Sequence, residues 1–323
     1  MTEPTITPAS QPYSRGAVAL AVAIAMVCGV GIASQARING ELSHQLGDGV
    51  LAALISFGSG LIVVTIALLV APSGRRGLSA VRSAIGERRI PWWYAAGGAA
   101  GAFLVLSQGL TAAVLGVALF TVSVVAGQTL SGLVLDARGL GTMAAKPVTV
   151  TRVVGSVLAL AAVAYAASAQ LQGNVPIWLM LLPFLAGFGI GWQQAVNGQI
   201  RGASGSAITA TFINFVVGTA VLLVATLVHS IWAGWPTVFP TNPVLYIGGL
   251  IGVIFIAGAA VIVRITGVLL LGLGTIAGQL IGSLLLDIFA PVAGHALTVP
   301  TVVGTALTLV AVSIAAIPRR RRA

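Results

Sequence analysis

Gln35 and Asn39 stand four residues apart inside an apolar run, and Gln193 and Asn197 repeat the pair 158 residues later. On a helix that spacing puts both amides of a pair on one face, within about 40° of each other. A carboxamide donates and accepts hydrogen bonds, so four of them could hold an uncharged or zwitterionic polar solute. The same groups also fasten apolar helices together. Asn39 and Asn197 each precede a glycine, Gly40 and Gly198, and could instead cap helix C-termini. The sequence leaves these readings open. Gln128 and Gln279 form a second matched set, with Ser131 three residues beyond the first and Ser283 four beyond the second. They are the better candidates for lining a cavity, weighed evenly against packing. Asp136 and Asp287 follow eight residues after each glutamine, at span ends, where a structural or gating role is favoured over proton coupling. Asp136 has Arg138 nearby, and His295 is the titratable group nearest Asp287.

Other chemistries lack their residues. Arg37 and Glu41 are four apart and are expected to form a surface ion pair; an Arg37 turned into a cavity would instead favour anionic solutes. His44, His229 and His295 lie at span ends, with no HExxH, nucleophile elbow or phosphate-binding loop. No catalytic residue, metal site or cofactor is therefore expected, and no enzyme; any driving force must be a gradient or facilitated diffusion. The single cysteine, Cys28, sits in an apolar run and can form neither a disulfide nor a multi-cysteine metal site within one chain.

The elements that carry these side chains follow from composition. Of 323 residues 58% are hydrophobic and 7% charged, with a mean hydropathy of +1.05, against roughly 25% charged in soluble domains. Lipid must be the solvent, and the long apolar runs make helices rather than a barrel. Ten windows qualify: 16–36, 49–70, 92–112, 115–135, 149–169, 176–198, 206–230, 243–263, 267–287 and 299–317. Residues 1–15 read as a disordered tail before an uncleaved first span, and 318–323 as a basic tail. With the N-terminus inside, 15 of the 16 Lys and Arg residues fall on the cytoplasmic side, Arg37 excepted. The positive-inside bias therefore places both termini in the cytoplasm. The same bias accounts for the net charge of +10, so nucleic acid is not an expected partner.

The chain also repeats itself. Gly31, Gln35, Asn39, Gly40, Phe57 and Gly60 recur as Gly189, Gln193, Asn197, Gly198, Phe215 and Gly218. With an offset of 151, Gly97, Gly98, Gly101, Gln128 and Asp136 recur as Gly248, Gly249, Gly252, Gln279 and Asp287. Shared apolar composition cannot produce matched Gln, Asn and Asp, which are rare in spans. Two five-helix units are expected, 16–171 and 176–317, and five being odd, the second must be inverted. Such folds place a central site at the repeat interface.

Gln-x-x-x-Asn-Gly at the end of the first span, Ser56-Phe57 in the second, Pro91-Trp92-Trp93 and Gly97-Gly98 at the third, and Gly127-Gln128 with Asp136 in the fourth resemble the YdcZ-type family of the drug/metabolite transporter superfamily. The likeness covers nearly the whole chain after the tail and has the look of the tandem-duplicated form. The second half departs by carrying Asn214 for Ser56 and Val244-Leu245 for Trp92-Trp93, so the halves can contribute unequally. The resemblance implies transport without naming a substrate. Cation exporters of the superfamily carry a mid-span carboxylate in the first helix; this chain has none, which argues against proton-coupled export of lipophilic cations.

The expectation is an all-α membrane protein of the cytoplasmic (inner) membrane, ten spans as two inverted repeats. It would move a small polar metabolite by alternating access, with Gln35, Asn39, Gln128, Gln193, Asn197 and Gln279 lining the path. The competing reading is a non-transporting scaffold or partner subunit whose amides only pack. Expected partners are the lipid bilayer and a small-molecule solute, with a homodimer left open.

Overall fold

A computed structural model describes residues 15–138, 150–168, 177–290 and 297–315. The expected tails, apart from Arg15, and His295 lie outside the described residues, as does the side chain of Asp136. Every regular element among the described residues is a helix. Six helices are long and apolar enough to cross a membrane: Ala19–Leu46, Gly49–Val70, Trp92–Leu115, Val117–Leu135, Trp178–Ser204 and Ala207–Ala233. Four shorter apolar helices accompany them, at Val153–Ala166, Gly248–Gly258, Gly274–Phe289 and Val299–Ile314.

Helix α1 (Arg15–Leu46) runs ten residues past the expected end of the first span. It stops where Gly47 takes the left-handed φ of 67°, which costs glycine nothing. Asp48 then caps α2 (Gly49–Val70), its Oδ1 accepting from the Val50 and Leu51 amides, each at 2.9 Å. The second half ends and restarts alike: α8 (Leu181–Ser204) closes at Gly205, φ 65°, and Ser206 caps α9 (Ala207–Ala233). Asn39 and Asn197 are thus helix-interior residues, and the C-cap reading of both is overturned.

The loop expected between the windows 49–70 and 92–112 contains a further helix, α3 (Pro72–Gly86), missed because its 15 residues are too short for a span and carry three arginines. Gly74, Gly77, Val81 and Ala84 form that face, and the Thr209 hydroxyl donates to the Gly74 carbonyl at 2.9 Å. After a short 3-10 turn, Trp92–Ala96, come α4 (Gly97–Ser107), a π-helical turn at Gln108–Ala112 and the single turn α5 (Ala113–Leu115). Gly116, φ 78°, breaks the chain before α6 (Val117–Arg138). Helix α7 is Val150–Ala167 and α11 is Val299–Ala315.

The segment α10 (Gly248–Phe289) is helical over 42 residues. Straight, it would be about 63 Å long, but its neighbours show that it turns back. Gly248, Gly252 and Gly258 lie against Asn39, Gln35 and Cys28, antiparallel to α1. Gly274, Gly278 and Gly282 lie against Ala25, Met26 and Val30, parallel to α1. Both ends of α10 therefore flank the same stretch of α1, and the direction reverses between Gly258 and Gly274. Helix α8 is flanked in the same way by α4, antiparallel (Gly97 on Asn197, Gly101 on Gln193), and by α6, parallel (Gly127 on Phe184, Gly191 on Ser131).

At the centre α2 crosses α9. The Phe57 and Phe215 rings lie 5.0 Å apart, each packed on the other's counterpart glycine: Phe215 on Gly60, Phe57 on Gly218. Such an aromatic pair is worth about 0.5–1.5 kcal/mol beyond its buried area.

Candidate functional site

The four amides of the first and sixth expected spans meet the opposite half. Gln35 Nε2 donates to the Gly248 carbonyl at 2.7 Å, and its side chain lies on Gly252. Gln193 holds the equivalent position on Gly101. Asn39 Oδ1 lies against Gly248, and Asn197 Oδ1 against Gly97. Only glycine lets a backbone come this close to a neighbouring amide; a Cβ on Gly248 would run into Asn39 Oδ1 and stand 2.8 Å from Ser56 Oγ.

Their remaining hydrogen bonds differ between halves. Asn39 Nδ2 donates to Gln108 Oε1 at 2.6 Å. In the second half Asn214 Oδ1 accepts from Gln193 Nε2 at 2.8 Å and from Asn197 Nδ2 at 3.3 Å. Asn39, Gln108 and Asn214 are almost wholly buried. Among the described residues Asn39 Oδ1, Ser56 Oγ, Gln108 Nε2 and Asn214 Nδ2 have no hydrogen-bond partner. Gln108 and Asn214 are the residues that sequence reasoning left out of the site. Gln108 has Ala259 at its repeat position and Asn214 has Ser56, so a search for matched polar residues passes over both. The signal available was simply an amide in an apolar run.

Gln128 and Gln279 behave differently. Gln128 is half-buried and Gln279 buried, yet neither forms a hydrogen bond with a described residue. Helix geometry gives their direction. On α6, Val124, Gly127 and Ser131 face α8, while Leu119, Val122 and Val125 share a core with Leu280 of α10. At about 100° per residue, Gln128 points into the wedge between those two faces. Gln279 does the same on α10, between the side that meets α1 (Thr275, Gly278, Gly282) and the side carrying Leu280 toward α6. Ser131 and Ser283 are fully buried, the latter donating to the Leu280 carbonyl at 3.0 Å.

Asp287 reaches the start of α6. Its Oδ1 accepts from the Val117 amide at 3.1 Å and its Oδ2 from the Ala118 amide at 2.7 Å, just after the break at Gly116. A carboxylate there satisfies two free amides and faces the positive end of the helix dipole. Glu41, the expected partner of Arg37, accepts at Oε1 from Gln45 Nε2 at 2.8 Å, one turn on. Among the described residues no group of three or more His, Cys, Asp or Glu side chains converges as metal ligands would.

The model of a known family matches residues 20–165 and again 178–314. The chain belongs to it. The family is described as "Putative inner membrane exporter, YdcZ", which makes this a multi-pass protein of the inner membrane and a transporter rather than an enzyme. A comparison with curated proteins gives no match. Among solved structures, one described only as "Crystal structure of protein" superposes with a TM-score of 0.55 at 20% identity, over 94% of this chain and 97% of that one. At that identity it shows a shared fold and nothing of substrate.

Proposed function

We propose that this YdcZ-family chain is a ten-span secondary exporter, built from two inverted five-helix repeats with both termini cytoplasmic, that moves a small polar metabolite by alternating access. The observation that carries the reading is the reciprocal packing of the halves. Helix α1 is flanked by the two oppositely directed ends of α10, and α8 by α4 and α6, at equivalent residues. Two such units can exchange conformations by rocking about the α2–α9 crossing.

Gln128 and Gln279 are the solute-contacting amides in this reading, because they alone among the matched amides keep their hydrogen-bonding capacity unspent. Gln35, Asn39, Gln193 and Asn197 line the interface that shifts. Asp287 serves as a gating acid that holds the start of α6 against the end of α10. Asp136 is the matching acid by sequence.

The test is counterflow in proteoliposomes with a panel of amino acids, sugars, nucleosides and organic ions. A transported solute whose flux falls at least tenfold in Gln128→Ala and Gln279→Ala, with folding intact, is the expected outcome. The second reading, a scaffold in which amides only pack, draws on the bonds of Asn39 to Gln108 and of Gln193 to Asn214. Absence of flux for every solute in both directions would favour it.

A further inference from the structure

One strongly charged surface has no part in the transport reading. Helix α3 is fastened to α8 and α9 through Gly74, Gly77, Val81 and Ala84, so its arginines are held on the opposite side. Arg75, Arg76 and Arg82 are exposed, and α3 carries no acidic residue. The nearest acid along the chain, Glu87, is taken by Arg89 at 2.8 Å.

The position of two of these guanidinium groups matters more than their number. Arg75 Nη1 donates to the Leu69 carbonyl at 2.8 Å, and Arg76 Nε to the Pro72 carbonyl at 3.4 Å. Both are tethered through main-chain oxygens at the α2–α3 junction, Leu69 at the end of α2 and Pro72 at the start of α3, each with most of its five donors still available. Directly along α2 from that point runs an exposed apolar stripe, Ile62, Ile66, Leu69 and Val70, 58–75% exposed. Its spacing of four and three residues puts it on one helix face. The exposed Trp92 marks the start of the next membrane helix, as expected of an interfacial aromatic.

We propose that this corner is a binding site for one anionic phospholipid. The phosphate sits between Arg75 and Arg76, and an acyl chain lies along Ile62, Ile66 and Leu69. Charge complementarity selects the headgroup, since a guanidinium fork fits phosphate oxygens, and the contiguous apolar stripe selects a lipid over a free anion. The proposal depends only on α2 being a membrane helix and stands or falls separately from transport.

Native mass spectrometry of the delipidated full-length protein in detergent tests it, with phosphatidylglycerol, phosphatidylcholine and inorganic phosphate as probes. One phosphatidylglycerol should be retained per chain in preference to phosphatidylcholine. Each arginine near an anionic headgroup contributes about fivefold, so R75Q/R76Q should weaken phosphatidylglycerol binding roughly 25-fold. R75K/R76K should retain most of it, and R88Q, which removes the same charge from the same segment, should change it less than twofold. Three outcomes would overturn the site: wild-type binding in R75Q/R76Q, an equal loss in R88Q, or equal retention of phosphatidylcholine. Displacement of the lipid by millimolar inorganic phosphate would overturn the lipid reading in favour of a free-anion site.

Discussion

Replacing single glycines by alanine should split this protein's glycines into two groups of opposite sign. In a helix interior alanine is more favourable than glycine by up to about 1 kcal/mol, so a glycine with room beside it should gain from the change. Gly58 of α2 and Gly202 of α8 have nothing within 4 Å of an added Cβ. At Gly98 the same Cβ would run into the Asn214 carbonyl oxygen and come within 2.9 Å of the Gly218 nitrogen. Backbone atoms cannot rotate aside, so α4 must move off α9 by about an ångström to restore contact, loosening the Phe57–Gly218 packing beside it. Overpacking of this kind costs about 1–3 kcal/mol or more. Gly249, at the equivalent position, meets the Ser56 carbonyl; Gly29 and Gly187 meet the carbonyls of Thr275 and Val124; Gly127 and Gly278 meet those of Phe184 and Met26. The expected result in detergent thermal melts is a fall of about 4–8 °C for each of these six alanine variants, taking about 2 kcal/mol at 2–4 °C per kcal/mol. G58A and G202A should melt at or above the wild-type temperature. The reasoning fails if G58A falls as far as G98A, or if one member of a pair is neutral while its counterpart is crippled, because reciprocal packing requires the pairs to behave alike.

Asp287→Ala should cost about 1–2 kcal/mol, since two amides at the start of α6 lose their acceptor; melting curves should show a drop of a few degrees, with Asp287→Asn intermediate. Asn39→Ala should cost about 0.6–1.7 kcal/mol by stripping Gln108 Oε1 of its donor. Asn197→Ala should cost less, because Asn214 Oδ1 keeps Gln193; a difference of the opposite sign in paired melts would contradict the hydrogen-bond assignment. A reporter active only in the periplasm, fused after Arg322, should be silent, and activity there would reverse the proposed orientation.

Much of this arrangement was legible in the sequence for a physical reason. A polar residue in an apolar span is costly, so matched Gln, Asn and Asp residues at constant offset mark the duplication more clearly than any apolar match. The helices α2, α7, α9 and α11 fall close to the apolar runs at 49–70, 149–169, 206–230 and 299–317. What the sequence hid was set by tertiary packing. Helix α1 continues past Asn39-Gly40 because those residues are pressed against the π turn, the start of α5 and α10, and a glycine inside a packed interface does not end a helix. Helix α3 was invisible because its buried face is made of glycine, valine and alanine. The reversal within α10, between Gly258 and Gly274, was legible: the windows 243–263 and 267–287 already part at Arg264-Ile265-Thr266.

The sequence left open whether the paired amides bind solute or only pack, and their hydrogen bonding differs between two sets. Gln35, Asn39, Gln193 and Asn197 lie against the third-helix glycines of the opposite half, at the surface that must slide if the halves rock. Hydrogen bonds between side chains inside membranes average only about 0.6 kcal/mol, and glycine faces offer no side chain to lock. Under the proposed alternating access, such an interface would be cohesive enough to define one state and weak enough to leave it. Gln128 and Gln279 stand apart, neither forming a hydrogen bond with a described residue. In the proposed exporter, a polar solute reaching these amides would supply the partners that the protein does not. That is why the transport assay on these two glutamines, rather than on the four more conspicuous amides, discriminates an exporter from a scaffold.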